Sequence, residues 1–206
     1  MLLDLQNLID KHDLKIKGVI HIGAHFGQEF KTYENLKIKN IMFFEPLPNN
    51  FFNLKNNVGD GAILINKALG NFVGNVEMNV EKANQGMSSS ILKPKLHLEQ
   101  YPWITFNEKV MVEIDKLDTY IGESKNYNFI NIDVQGYELE VFKGGKNFLN
   151  HIDYIITEVN NSELYENCVN VIDLDDYLST YGFERVETTW DGVTWGDALY
   201  IKKLKK

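Results

Sequence analysis

The amino-acid sequence predicts an α/β fold with a mostly parallel sheet, helices on both faces and an antiparallel last strand. Short apolar runs alternate with helical stretches, which is typical of parallel sheets covered on both sides. The first run, GVIHI over 18–22, is rich in β-branched residues and carries no charge, as expected of a buried parallel strand. Two further runs end the chain, and their spacing predicts an antiparallel pair.

The elements are predicted in order from this alternation. Leu2, Leu5, Leu8 and Ile9 fit a short amphipathic helix, either a dimer contact or a cover for the sheet edge. The main strands are predicted over 18–22, 41–44, 62–65, 129–132 and 152–157, with the final pair over 183–189 and 198–201. Additional strands are predicted over 76–80 and 110–114. Helices are predicted over 29–36, 47–58, 115–121, 137–144 and 169–180. The segment 92–107 is predicted to be a long connection that covers one end of the sheet.

Length and composition predict a single domain over residues 1–206, with a substantial core. The chain has 29 acidic and 21 basic residues and a net charge of −8, which argues against nucleic acid as the main partner. No apolar run approaches the roughly 20 residues of a membrane span. Cys168 is the only cysteine and has no predicted role, and a reducing, cytoplasmic location is the default expectation.

A glycine turn follows the first strand and is the best candidate for a cofactor cradle. Gly23 and Gly27 lie four residues apart, where the chain must turn sharply and let its backbone approach a ligand. A dinucleotide fingerprint would need glycines where His25 and Gln28 stand. The turn therefore argues against a nicotinamide-dependent enzyme, which stays open as an alternative.

Polar side chains follow the other strands at the same edge of the predicted sheet, where ligands of such folds bind. Glu45 follows the second strand, and an acid there accepts hydrogen bonds from ribose hydroxyls. The serines of NQGMSSSIL are expected in a solvated loop. The full set of strand-end candidates is His25, Glu45, Asn66, Asp133, Glu138, Glu158 and Asn160.

The order of these motifs resembles the FkbM branch of class I S-adenosylmethionine (SAM) methyltransferases. The stretches that carry the resemblance are IHIGAHFGQE, FFEPLPNNFFNLKNN, INKALGNFVG, GMSSSIL, INIDVQGYELEVFKGG and IITEVN with a closing YGF. The resemblance implies a Rossmann-like, seven-stranded sheet with a reversed last strand, and methyl transfer from SAM. It makes O-methylation of a sugar-like or other small acceptor the expected activity, with an N-methyl acceptor and a non-catalytic SAM-binding module as alternatives.

Carried over by position, the resemblance implies where SAM binds. The glycine turn would lie against methionine and ribose, Glu45 would hold the ribose hydroxyls, and 66–68 would lie near adenine. The first strand of the family commonly ends on an acid, which here is His21. This imidazole is either a hydrogen-bond acceptor for the cofactor's ammonium or a packed core residue. The cofactor-binding candidates are His21, Gly23, Ala24, His25, Gly27, Gln28, Glu45, Asn66, Ala68 and Asp133.

Methyl transfer to a hydroxyl needs positioning and, as the bond forms, a base. The predicted catalytic residues are Asp133, Glu158 and Glu138, although Glu138 is also placed to cap its own helix. A divalent metal on Asp133, Glu158 and Asn160 is considered unlikely but possible. The acceptor is expected to contact the serine segment, the aromatic stretch 101–106, Trp190 and Trp195.

Overall fold

A computed structural model describes residues 2–203, and its strands form two sheets. The strands are β1 (Gly18–Ile22), β2 (Asn40–Phe44), β3 (Ile63–Ile65), β4 (Ala68–Leu69), β5 (Gly74–Val80), β6 (Glu108–Asp115), β7 (Phe129–Ile132), β8 (Tyr154–Asn160), β9 (Phe183–Asp191) and β10 (Trp195–Lys202). Seven of them form the main sheet in the order β3-β2-β1-β7-β8-β10-β9.

The main sheet is parallel except at β10, which pairs antiparallel with both β8 and β9. This confirms the predicted fold class, including the reversed last strand. The strand order changes direction between β1 and β7, so the carboxyl ends of these two strands flank the crevice where ligands of such sheets bind.

The helices are α1 (Leu5–His12), α2 (Phe30–Asn35), α3 (Pro48–Val58), α4 (Leu96–Gln100), α5 (Glu138–Gly144) and α6 (Val171–Ser179). Their ends follow local chemistry, because Asp4 and Asn170 accept hydrogen bonds from the first turns of α1 and α6. Pro48 occupies the first turn of α3, where its missing N–H costs nothing. Gly145 ends α5, as the glycine pair predicts.

The small sheet has the order β4-β6-β5, with β4 parallel and β5 antiparallel to β6. The predicted strands over 76–80 and 110–114 exist, but they pair with each other beside the main sheet. The predicted helix over 115–121 is wrong in position and type, because Asp115 ends β6 and a kinked 3-10 segment covers Leu117–Asn126.

The core is divided by the main sheet, because alternate residues of each strand face opposite sides. On β1, Ile20 and Ile22 pack into the cluster on one face and Val19 into the cluster on the other. Leu5 and Leu8 of α1 join the Val19 side. The apolar stripe of α1 therefore packs on the sheet of its own chain.

Two connections differ from expectation. The loop predicted between the last strands shrinks to 192–194, because β9 and β10 extend further than their apolar runs. The connection over 92–107 contains α4. Within residues 2–203, no helix is long and apolar enough to cross a membrane.

Candidate active site

The glycine turn links the ends of β1, β2 and β7. The amides of Gly23 and Ala24 both donate to the carbonyl oxygen of Phe44, at 3.0 and 2.9 Å. Gly23 has φ +81°, and a Cβ built there would lie 1.9 Å from the carbonyl oxygen of Asp133. Only glycine fits this position, and the close approach leaves the space beyond the strand ends free of side chains.

His25 ties the glycine turn to the segment that crosses above it. Its Nδ1 accepts a hydrogen bond from Nε2 of Gln28 at 2.7 Å, which leaves Nε2–H to donate to the carbonyl oxygen of Gln85 at 2.8 Å. Both ring nitrogens are therefore engaged, and His25 positions the segment around Gln85.

Glu45 is almost completely buried directly after β2. Its Oε2 accepts a hydrogen bond from the amide of His25 at 2.8 Å, and its Oε1 accepts one from the amide of Leu47 at 2.9 Å. Burial outweighs these bonds and raises the pKa of Glu45 to about 7. Each carboxylate oxygen keeps a second lone pair for a further donor.

The serine segment is not a solvated loop, contrary to expectation. Ser88, Ser89 and Ser90 are buried. Oγ of Ser90 donates to the carbonyl oxygen of Gln135 at 2.7 Å, and the hydroxyl of Tyr165 lies 2.8 Å from the carbonyl oxygen of Ser88. The local sequence carries no signal for the burial of these serines, because the two partners are at least 45 residues away along the chain.

Three carboxylates meet at the carboxyl ends of β7 and β8. Asp133, Glu138 and Glu158 each offer an oxygen within 4.8 Å of the others. Nε2 of Gln135 donates to Oδ1 of Asp133 and to Oε2 of Glu158, both at 2.7 Å. Glu158 lies inside β8, where it also accepts a hydrogen bond from Nδ2 of Asn160 at 3.3 Å.

Burial holds protons on this cluster. It raises the pKa of Glu138 to about 7, with the charge of Asp133 adding to the effect. Burial and the charges of Asp133, Glu138 and Asp197 raise the pKa of Glu158 well above its usual range. Asp197, which faces Glu158 in the register of β10 and β8, is also largely buried, and its pKa rises to about 6.

Amide groups of the chain itself donate hydrogen bonds to this cluster. The amide of Gln135 already bridges two of the three carboxylates, and Oε1 of Glu138 accepts hydrogen bonds from the amides of Val134 and Gly136 at 3.0 and 3.1 Å. Oδ1 of Asn160 and Oε2 of Glu138 are buried without a hydrogen-bond partner. The sequence-based expectation that the protein does not depend on a metal stays a prediction. A measurement of methyltransferase activity in the presence of EDTA would check it.

Three cavities open at this edge of the sheet, and Asp133 and Met87 line all of them. The Glu45 cavity lies toward β2 and includes Ala68 and Leu69. The His21 cavity lies between the glycine turn and Asp197. The Trp103 cavity is lined by Leu2, Asn84, Met87, Ser88, His97, Tyr101, Trp103, Ile104, Asp133, Gln135, Glu158, Leu164, Asp191, Trp195 and Asp197.

Most of the residues predicted to bind the cofactor line these cavities. Those that do are His21, Gly23, Ala24, His25, Gln28, Glu45, Ala68 and Asp133. Gly27 and Asn66 line none of the three; Nδ2 of Asn66 instead donates to the carbonyl oxygens of Glu45 and Pro46. Glu158 lines the Trp103 cavity, whereas Glu138 and Trp190 line none of the three.

Sequence reasoning missed several lining residues, including Met87, Gln135, His97 and Asp197. His97 packs against the rings of Tyr101, Phe106 and Tyr165, and its Nδ1 is buried without a partner. Asp197 carried a usable signal, because it is an acid at a buried position of an otherwise apolar strand.

The strand order, the glycine turn and the cavities at the carboxyl ends of β1, β2 and β7 are the arrangement of class I SAM-dependent methyltransferases. The sequence-family model of the methyltransferase FkbM domain matches residues 21–185 of this chain. The chain is 30% identical over 203 residues to the 2-O-methyltransferase NoeI of Sinorhizobium fredii, covering 94% of this chain and 81% of the relative. The chain therefore belongs to the FkbM methyltransferase family, which decides for SAM over a nicotinamide cofactor.

Solved structures agree with the fold. A putative tRNA (m1A22) methyltransferase of Streptococcus pneumoniae superposes with a TM-score of 0.55 at 13% identity, over 100% of this chain and 72% of that one. The magnesium protoporphyrin IX methyltransferase of Synechocystis, solved with bound SAM, gives 0.53 at 9% identity, over 96% and 76%.

Replacing Glu138 by glutamine is expected to stabilise the protein at high pH. The folded state holds a proton on Glu138 up to about pH 7, against an ordinary pKa of 4.5, so the free energy of unfolding falls as pH rises between these values. Glutamine keeps an oxygen for the amides of Val134 and Gly136 but carries no charge. The variant should match wild type near pH 5 and exceed it near pH 8 by on the order of 1–3 kcal/mol.

Urea denaturation at both pH values measures this difference. Glu99→Gln, which changes an exposed side chain of α4, is the control and should leave the pH dependence unchanged. An equal loss of stability with pH in wild type and Glu138→Gln would show that Glu138 is ionised in the folded protein.

Proposed function

We propose that this chain transfers the methyl group of SAM to a hydroxyl of a sugar or similarly hydroxylated small molecule bound in the Trp103 cavity. The observation that carries the proposal is the composition of that cavity. Tyr101, Trp103 and Trp195 present aromatic faces, and carboxylates stand among the other lining residues. Flat aromatic faces suit sugar rings, and carboxylates accept hydrogen bonds from hydroxyls.

The charge of the Trp103 cavity supports an acceptor without phosphate. Four carboxylates line it, those of Asp133, Glu158, Asp191 and Asp197, and none of its lining residues is lysine or arginine. An anionic acceptor would meet like charges. A relative named as a 2-O-methyltransferase favours oxygen as the accepting atom.

SAM fits the other two cavities. The Glu45 cavity offers the ribose an ionisable carboxylate already oriented by two amides, and Ala68 and Leu69 offer the adenine an apolar wall. The His21 cavity would hold the methionine end. When bound, SAM supplies an electrophilic methyl group on a sulfonium, and Asp133 lies where the three cavities meet.

Within this arrangement Glu158 is the proposed base and Asp133 orients the acceptor hydroxyl. Of the three cavities, Glu158 lines only the Trp103 cavity. Its raised pKa makes its ionised form a stronger base than an ordinary carboxylate. Glu138 holds the turn of Val134 and Gly136 and is proposed as a positioning residue. An amine acceptor is the second candidate, because the same carboxylates would attract an ammonium group.

The test is an acceptor screen with purified protein and SAM, following release of S-adenosylhomocysteine and locating the new methyl group by NMR. Neutral mono- and oligosaccharides are expected to be methylated on oxygen. Methylation confined to amines would favour the second candidate, and SAM binding without turnover on any acceptor would favour a non-catalytic module.

Trp103→Ala is expected to raise the KM for the sugar about tenfold while the Kd for SAM stays within about threefold. Trp103 is 68% exposed and lines the proposed acceptor cavity. Trp190→Ala is the matched control, because Trp190 is also partly exposed but lines none of the three cavities. An unchanged KM in Trp103→Ala would place the acceptor elsewhere.

A further inference from the structure

A buried imidazole stands at the end of β1 where its family commonly has an acid. His21 is 4% exposed and lines the His21 cavity. It aligns with Phe43 on β2 and with Asn131 on β7, and Tyr33 of α2 packs over it. The neighbours that hold the imidazole ring in place are therefore buried residues of β2, β7 and α2.

A hydrogen-bond relay sets the protonation of the ring. Nδ2 of Asn131 donates to the hydroxyl oxygen of Tyr33 at 2.8 Å. That oxygen lies 3.1 Å from Nδ1 of His21. Tyr33 is completely buried, so its O–H proton needs an acceptor, and Nδ1 is the acceptor within reach. Nδ1 therefore carries no proton.

The remaining proton of the ring points to the cavity. Burial lowers the pKa of His21, so the imidazole is neutral at physiological pH. A neutral imidazole with a bare Nδ1 carries its proton on Nε2. Among residues 2–203, Nε2 has no hydrogen-bond partner, and His21 lines the cavity. The end of β1 thus presents a hydrogen-bond donor, whereas an acid would present an acceptor.

The carboxylates of this cavity lie on other elements. Glu29 precedes α2, Asp133 follows β7 and Asp197 lies on β10. The amino-acid end of SAM has one carboxylate and one ammonium, and a donor can bind only the first. We propose that His21 binds the α-carboxylate of SAM through Nε2–H, and that the ammonium faces the carboxylates of Glu29, Asp133 and Asp197. The polarity expected at the end of β1 is reversed.

The test compares two ligands that differ only in that carboxylate. Wild type is titrated calorimetrically with S-adenosylhomocysteine and with its decarboxylated analogue, which keeps the amine. Because a hydrogen bond to a charged group is at stake, wild type should bind S-adenosylhomocysteine about tenfold or more tightly than the analogue. No acceptor is present, so the result does not depend on the proposed acceptor class.

His21→Asp separates the two polarities. Its carboxylate can still accept from Tyr33, but it would face the carboxylate of the ligand, so binding of S-adenosylhomocysteine should weaken at least tenfold while the analogue binds within about threefold of wild type. If the ammonium lies here instead, His21→Asp will bind S-adenosylhomocysteine as tightly as wild type or more tightly. That outcome overturns the proposal.

His21→Gln is the second variant and guards against misfolding. Its amide can accept from Tyr33 and donate to the cavity, so the preference for the carboxylate ligand should survive, and its loss would contradict the proposal. A nitrogen-15 NMR spectrum of histidine-labelled protein gives an independent readout. It should show His21 with a bare Nδ1 and a protonated Nε2, and the opposite tautomer would also overturn the proposal.

Discussion

Replacing Glu45 by alanine is expected to weaken SAM binding by at least about a hundredfold. The buried carboxylate is oriented by the amides of His25 and Leu47, at 2.8 and 2.9 Å, and lines the cavity proposed for the ribose. Two ribose hydroxyls would each lose a hydrogen bond to a charged group, and such bonds contribute about 1.5–3 kcal/mol apiece. Calorimetric titration with SAM measures the loss directly.

Asn66→Ala is the matched control for Glu45→Ala. Asn66 braces the same strand end through the carbonyl oxygens of Glu45 and Pro46 but does not line the Glu45 cavity, so its variant should bind SAM within about threefold of wild type. If Glu45→Ala also binds within about threefold, the ribose lies elsewhere.

The raised pKa of Glu45 predicts that SAM binding depends on pH. Because burial raises the pKa of Glu45 to about 7 and its ionised form is the better hydrogen-bond acceptor, SAM affinity should rise with pH through neutrality. The same titration with Glu45→Gln should lose this pH dependence, since an amide does not ionise.

Replacing Glu158 by glutamine is expected to lower kcat about 10²–10⁴-fold, the range that a general base contributes. The Kd for SAM should stay within about threefold, because Glu158 lines the Trp103 cavity and neither of the other two. The raised pKa predicts that the wild-type kcat increases with pH as Glu158 loses its proton. The profile of Glu158→Gln should be flat over the same range.

Asp191→Asn provides the control for Glu158→Gln. Asp191 is a second carboxylate lining the Trp103 cavity, but it is exposed at the end of β9 and lies outside the buried cluster. Its variant should keep kcat within about tenfold of wild type. A kcat within tenfold for Glu158→Gln as well would remove Glu158 as the base and leave Asp133 as the remaining candidate at the junction of the cavities.

The main sheet was predictable because its strands are encoded locally. The runs 18–22, 41–44 and 129–132 are mostly apolar and are each followed directly by a glycine or an acidic residue, and each became a strand. The small sheet was not predictable, because the residues of 76–80 and 110–114 do not indicate which strand each of them pairs with. The same holds for β9 and β10, because the polar end of β9 pairs with β10, and the polar end of β10 pairs with both β8 and β9.

Parts of the site were predictable for the same reason. The glycine turn and Glu45 each come directly after a predicted strand, so their position in the sequence carries the information. Asn66 was predicted to bind the cofactor, and the sequence could not show that its Nδ2 donates to the backbone of 45–46, because a side chain that follows a strand can turn back as well as outward. The prediction that the serine segment is a solvated loop was wrong, because Tyr165 and Gln135, which lie far away along the chain, hydrogen-bond to it in the buried interior.

By itself, the sequence predicted the fold class and the FkbM family, favoured SAM over a nicotinamide cofactor, and indicated one edge of the sheet for the candidate site. These depend on periodicity, turn chemistry and motif order, which are local properties of the chain. Tertiary structure alone decided which polar groups face one another: the bridge of Gln135 between Asp133 and Glu158, the burial of Asp197, and the hydrogen-bonded contact of Asn131, Tyr33 and His21. Hydrogen-bond partnership and desolvation are set by distance in space, and the strand order brings together residues far apart in the sequence.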